Sequence, residues 1–191
     1  MNIEYEATFT QINKDQMRKK LREIGAKLIK SEFLMKRVVF IPPKKIKNGW
    51  MRVRDEGDKI TMSLKIVGGR KITDQKEIEL VIDDFNKGCK FSEAIGANKK
   101  SYQETKRELW HFNDVEITLD TWPGLKPIIE IEGKNEQEVK AVAEKLDFDW
   151  SKAIFDSIDY VYEKELGIPR EVINNQTPEA TFKNPPKLYK K

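Results

Sequence analysis

Two glutamates with one residue between them open the chain, and the same pattern returns at Glu130 and Glu132. In Ile3-Glu4-Tyr5-Glu6-Ala7-Thr8-Phe9 an extended backbone sends successive side chains to opposite faces. Glu4, Glu6 and Thr8 then share one side, and Ile3, Tyr5, Ala7 and Phe9 the other. Ile128-Ile129-Glu130-Ile131-Glu132-Gly133 repeats the pattern with Glu130 and Glu132. Between these acidic stretches the alternation carries cations instead. Arg37 sides with Met35 and Val39, Arg52 with Arg54, Lys65 with Thr61 and Ser63, and Arg107 with Thr105 and Leu109. Glu77 and Glu79 oppose Ile78, Leu80 and Ile82, and Asp120 is in phase with Glu116 and Thr118. Clustered carboxylates are hard oxygen donors suited to Mg2+ or Mn2+. Guanidinium forks match phosphate oxygens bidentately. A surface with both is built for a metal-chelated polyphosphate.

The elements that must position these groups follow from periodicity and breakers. Eight strands are predicted: 3–9, 33–41, a 50–54/59–65 hairpin turning at Asp55-Glu56-Gly57-Asp58, 76–83, 103–110, 116–121 and 127–133. Asn13 and Gln16 can cap a helix carrying Met17, Leu21 and Ile24 and stopping at Gly25. Asp83-Asp84 can start a second, with Phe85, Cys89, Phe91 and Ile95 and an interruption at Gly88. Residues 136–146 form a third, through Val139, Val142, Ala143 and Leu146, and Ser151 is expected to cap a last one carrying Ile154, Ile158 and Val161. The ionic strand faces can look outward to water. Alternatively the sheet curls with them inside, and its aliphatic exterior is covered by helices. Helices with single apolar stripes and no other docking surface favour the second arrangement, an α+β eight-stranded antiparallel β-barrel.

Composition bounds the rest. A chain of 191 residues is one large domain, here expected over 1–167, with a polar basic tail over 168–191. Charged residues make up 36% and apolar ones 38%, so charge exceeds the globular average of about 25%. The net charge of +4 is concentrated after residue 167, which argues against nucleic acid as a partner. Lys183, Lys187, Lys190 and Lys191 of the tail are read as a solvated terminus. Cys89 is the single cysteine and His111 the single histidine, which excludes an internal disulfide and a Cys/His zinc cage. The amino terminus enters a strand without a charged leader, and no run approaches membrane-spanning length. A cytoplasmic protein, monomeric or homodimeric and without a membrane partner, is expected.

The opening Glu-x-Glu, the Arg52-x-Arg54 ahead of a strand ending at Lys65, the basic strand at Arg107, the Asp120 turn to Glu130-x-Glu132 and the closing helix with Tyr160 together resemble the CYTH, or triphosphate tunnel metalloenzyme, family. The resemblance spans residues 2 to about 165. It implies an eight-stranded tunnel and a triphosphate-bearing substrate. Family activities include hydrolysis of inorganic triphosphate, thiamine triphosphate or nucleoside triphosphates, and cyclisation of ATP in class IV adenylate cyclases. By resemblance, Glu4, Glu6, Glu130 and Glu132 hold Mg2+ or Mn2+. Arg52, Arg54, Lys65 and Arg107 grip the phosphates, joined by Arg37, and Glu6, Glu79 and Asp120 support catalysis. One position departs from the family's opening signature, Glu-x-Glu-x-Lys, because Thr8 stands where lysine belongs. Loss of that cation leaves three readings open: a triphosphatase in which Arg37 supplies the charge, a cyclase, or a non-catalytic polyphosphate binder.

Overall fold

The computed structural model describes residues 1–44 and 46–187; Lys190 and Lys191 of the tail lie outside the described residues. The element order is β1 (Asn2–Ile3), β2 (Tyr5–Phe9), α1 (Lys14–Glu23), β3 (Lys27–Ile41), β4 (Gly49–Asp55), β5 (Ile60–Val67) and β6 (Gln75–Ile82). There follow α2 (Phe85–Ala94), β7 (Asn98–Phe112), β8 (Val115–Thr121), β9 (Ile128–Gly133), α3 (Glu136–Lys145), α4 (Ile158–Leu166), α5 (Arg170–Asn175) and β10 (Glu179–Ala180). The sheet runs β1-β6-β5-β4-β3-β7-β8-β9-β2 with antiparallel neighbours throughout. Its two edge strands, β1 and β2, are halves of one extended run. The first stretch of chain therefore fastens both edges, and the sheet becomes a nearly closed barrel.

Ten strands form rather than the expected eight. At Glu4 the opening run leaves one ladder for another: Ile3 pairs with Lys76 of β6, and Tyr5 pairs with Gly133 of β9. The Glu4 amide donates to the Gln75 carbonyl at 3.0 Å, so the switch leaves no orphaned donor there. The additional strand, β10, pairs in parallel with β7. β3 and β7 are 15 residues each, longer than alternation indicated, because they pair from Lys27–His111 to Ile41–Asn98 across three register shifts.

Alternation decides which side is dry. Ala7, Phe9, Ile117, Leu119, Ile129 and Ile131 point outward and are buried by Met17 and Leu21 of α1 and Val139, Val142 and Ala143 of α3. α2 covers Val38, Phe40 and Val53. It reaches them through Gly88, where a Cβ would lie 2.4 Å from Ile82 Cδ1 and 3.2 Å from Val53 Cγ1. The residue expected to interrupt this helix is thus its point of closest approach to the sheet, while Phe91 and Ile95 are exposed. Coverage is incomplete: Ile78 and Leu80 on β6 remain about half exposed.

One expectation near the carboxyl end is corrected. Asp149 caps a single 3-10 turn at Trp150–Lys152, and the helix proper begins only at Ile158 after Ser157. Ile154 instead exchanges both backbone hydrogen bonds with Thr8 at 3.0 Å, so the chain there is spent on closing the sheet. Beyond Gly167, in the left-handed region at φ 66°, the chain carries α5 and β10. Among the described residues no helix is long and apolar enough to cross a membrane.

Candidate active site

The inward faces of the strands line one cavity of about 900 Å³. Glu4, Glu6, Glu130 and Glu132 stand on its acidic wall, and Arg37, Arg52, Arg54, Lys65 and Arg107 on the facing strands, with Glu79 among them. Residues up to 128 positions apart, Glu4 and Glu132, thus converge as the alternation of each strand requires. Register then sorts the acids. Glu6 lies directly across from Glu132, whereas Glu130 lies across from Thr8 and Thr118. As a result, carboxylate oxygens of Glu4, Glu6 and Glu132 come within 4.8 Å of one another. Glu130 stays outside this group, accepting from Arg107 Nη2 at 2.7 Å and from Thr118 Oγ1 at 3.4 Å.

The crowding shows in the acidities. Burial and the neighbouring Glu6 push Glu4 up to about 8 and Glu132 to about 7. Burial, Glu6 and Asp120 push Glu130 to about 8. Glu77 goes the other way: burial would raise it, but Arg52 and Lys65 outweigh burial and hold it at about 2. The three-carboxylate group offers only hard oxygen donors, with neither histidine nor cysteine beside it, and its like charges are relieved by a cation. Its donor set fits a hard divalent cation, which Glu4, Glu6 and Glu132 would hold.

Four of the five cations already have carboxylate partners. Arg52 Nη2 lies 3.0 Å from Glu77 Oε1, and Arg54 lies 2.7 Å from Glu56 and 3.0 Å from Glu79. Lys65 Nζ lies 2.6 Å from Glu4 and 3.6 Å from Glu6. Arg107 lies 2.6 Å from Asp120 and 2.7 Å from Glu130. Burial opposes the charge on Arg107, yet Asp120 and Glu130 hold its pKa well above the ordinary value. Arg37 differs. It is 4% exposed, has no carboxylate ion pair among the described residues, and donates one hydrogen bond, from Nη2 to Thr105 Oγ1 at 2.6 Å. Burial, then Arg52, Arg54 and Arg107, depress its pKa well below the ordinary value.

Asp120, expected to support catalysis, shares the inward strand face but is not among the residues that line the cavity. It is fully buried behind Arg107, which donates to both of its oxygens at 2.6–3.2 Å. Alternation indicates the face of a strand but not the depth at which a short side chain sits. Trp122 also lines the cavity, stacked under Arg37 with the guanidinium carbon 4.5 Å from its ring centroid. In the sequence, Trp122-Pro123-Gly124 signals only a turn. At one mouth, Arg170 of α5 bonds Asp156 at 2.8 Å and Asp159 at 2.7 Å. Asp156 and Asp159 lay in the stretch read as the last helix and Arg170 in the tail, and periodicity in neither one indicates that the two meet.

The CYTH domain model matches residues 2–158. The chain belongs to the CYTH domain family. Solved structures agree on the fold. A candidate adenylate cyclase from Vibrio parahaemolyticus is similar at TM-score 0.73 and 12% identity, covering 85% of this chain and 98% of that one. The PH1012 protein of Pyrococcus horikoshii matches at 0.68 and 18%, covering 81% and 96%. A candidate adenylyl cyclase from Hippeastrum, described as having a dominant triphosphatase activity, matches at 0.56 and 12%, covering 88% and 99%. No match is found among curated proteins. Within the CYTH barrel, Thr8 lies on the same strand face as Glu4 and Glu6 but is 4% exposed and bridged through its backbone to Ile154. Thr8 is not among the residues that line the cavity, and the hydroxyl that donates to Glu130 is that of Thr118.

Proposed function

We propose that this CYTH domain is a divalent-metal-dependent phosphohydrolase that removes the terminal phosphate of a triphosphate. The observation that carries the reading is the opposition, in one cavity, of a three-carboxylate cluster to an array of buried cations that includes the unpaired Arg37. Neither half is stable as a dry core, because buried charge is costly unless paired or ligand-bound. Both halves are satisfied together by a metal-chelated polyphosphate. A divalent cation bound at the acids screens phosphate charge and lowers the pKa of an attacking water.

The chain's own groups have separable tasks. Arg37, Arg52, Arg54, Lys65 and Arg107 hold the phosphate oxygens in line, and positioning of this kind is most of phosphoryl-transfer catalysis. Glu79 aims Arg54, and Asp120 aims Arg107. The water oxygen bonds to the terminal phosphorus as its bridging P–O bond breaks, and diphosphate leaves. We assign the water's proton to the ionised form of Glu130, which lies outside the three-oxygen cluster and whose carboxyl burial, Glu6 and Asp120 push up to about 8, so that its action as base grows as pH rises toward that value.

The Hippeastrum relative, with its dominant triphosphatase activity, supports hydrolysis over cyclisation. The test is product analysis with inorganic triphosphate, thiamine triphosphate and nucleotides in Mg2+ or Mn2+. Orthophosphate release that Glu130→Gln reduces by about 100-fold or more is expected. Pyrophosphate with cyclic AMP from ATP instead identifies a cyclase. Calorimetric binding without any product over hours identifies a non-catalytic binder, the outcome that Thr8 makes credible.

A further inference from the structure

Arg37 and Arg54 are directly cross-strand from one another in the β3–β4 ladder. Like charges so placed destabilise a sheet, and each solves the problem differently. Arg54 has Glu56 and Glu79. Arg37 has no carboxylate within ion-pair distance among the described residues, although Asp120 acts on it from further off: the Thr105 hydroxyl accepts one hydrogen bond, and the guanidinium carbon lies 4.5 Å from the Trp122 ring centroid. Its Nε is buried without a hydrogen-bond partner, as is the Trp122 indole Nε1. Tyr162, beside them, spends its hydroxyl on the Pro123 carbonyl at 2.7 Å, which fixes the turn that carries Trp122. A buried guanidinium with this surrounding is a poor structural element, since removing an unpaired charge from an interior relieves its desolvation.

We propose that Arg37 is the anion anchor of the cavity, held on the indole face of Trp122 and left without a carboxylate so that an entering phosphate group is its counterion. The inference rests on the proposed triphosphate site and deepens it, by ranking the cations. Arg52, Arg54, Lys65 and Arg107 must share themselves between phosphate and the carboxylates they already hold. Arg37 gives up no carboxylate contact when phosphate arrives, so it contributes most to affinity. Trp122 is its positioning residue, holding the fork flat while leaving it free to donate.

The consequence is a reversal of sign between stability and binding. In the full-length protein without anion, Arg37→Met keeps the aliphatic stem, removes the uncompensated charge, and raises Tm by about 2–8 °C. The same substitution weakens inorganic triphosphate by about 10- to 100-fold and removes most of the melting shift that triphosphate induces. Melting curves are to be recorded with and without inorganic triphosphate, in EDTA and again in Mg2+, for wild type, Arg37→Met, Arg37→Lys, Trp122→Phe and Trp122→Ala. Trp122→Phe retains a ring face and keeps the triphosphate shift, whereas Trp122→Ala loses part of it. A wild-type triphosphate shift persisting in Arg37→Met overturns the inference while leaving the triphosphate site intact. An Arg37→Met protein that melts lower than wild type without anion, or does not fold, also overturns it, because Arg37 then already has its partner. If wild type itself shows no shift in EDTA or Mg2+, the triphosphate site fails and this inference with it.

Discussion

Glu4 and Glu132 make metal binding a protonation-linked event. With carboxyls held near 8 and 7 by burial and by Glu6, both carry protons over much of the range below neutrality, and a cation must displace them. Mn2+ affinity is therefore expected to strengthen by about tenfold for each proton displaced per pH unit between pH 6 and 8, then level off. Calorimetry in two buffers of different ionisation heat measures the proton release directly, and an affinity constant over this range contradicts the assignment. Asp120 acts at one remove. Asp120→Asn leaves Arg107 with Glu130 alone and is expected to cost about 3 kcal/mol of stability, read by urea unfolding, with a loss of turnover that Asp120→Glu does not repair in so confined a site. Alternation placed Asp120 on the correct face, but only packing shows it behind Arg107.

At the scale of the elements, the strands were legible because each buries one side. The pattern Ile129-Glu130-Ile131-Glu132 allows only one pleat, isoleucines against α3 and glutamates inward. The helices were less legible where packing overrides periodicity. α2 approaches the sheet by Gly88 and Ser92 rather than by Phe91, so a residue that reads as a helix breaker is a contact. Gly88→Val is expected to push α2 away from Ile82 and Val53 and to cost about 1–3 kcal/mol. Circular dichroism melts check this, and unchanged stability shows that the helix can shift without loss. The exposed Ile78 and Leu80 belong to the same lesson. An apolar strand face indicates which side avoids water, not whether a helix is available to cover it.

For the whole molecule, the charged interior makes stability depend on pH and ligand together. Glu4, Glu130 and Glu132 bind protons more tightly folded than unfolded, so the stabilisation they contribute is present below about pH 4.5 and is lost as pH rises through about 7–8. Glu77, held at about 2, is ionised in both states above about pH 6 and leaves the slope unchanged there. Metal-free protein is expected to lose Tm steadily from pH 5 to pH 8.5, and Mg2+ with triphosphate to abolish the decline. A metal-free Tm that rises over this interval contradicts the crowded-carboxylate site. The local sequence by itself determined the two-faced strands, the ionic character of one face and the turns between them, because side-chain direction in a strand depends only on residue parity. Tertiary structure alone decided that Glu4 hands the opening strand from β6 to β9, that Glu6 meets Glu132 while Glu130 meets Arg107, and that Arg37 has no carboxylate ion pair among the described residues. Those outcomes depend on register and closure between segments distant in the chain, which parity along any one of them does not encode.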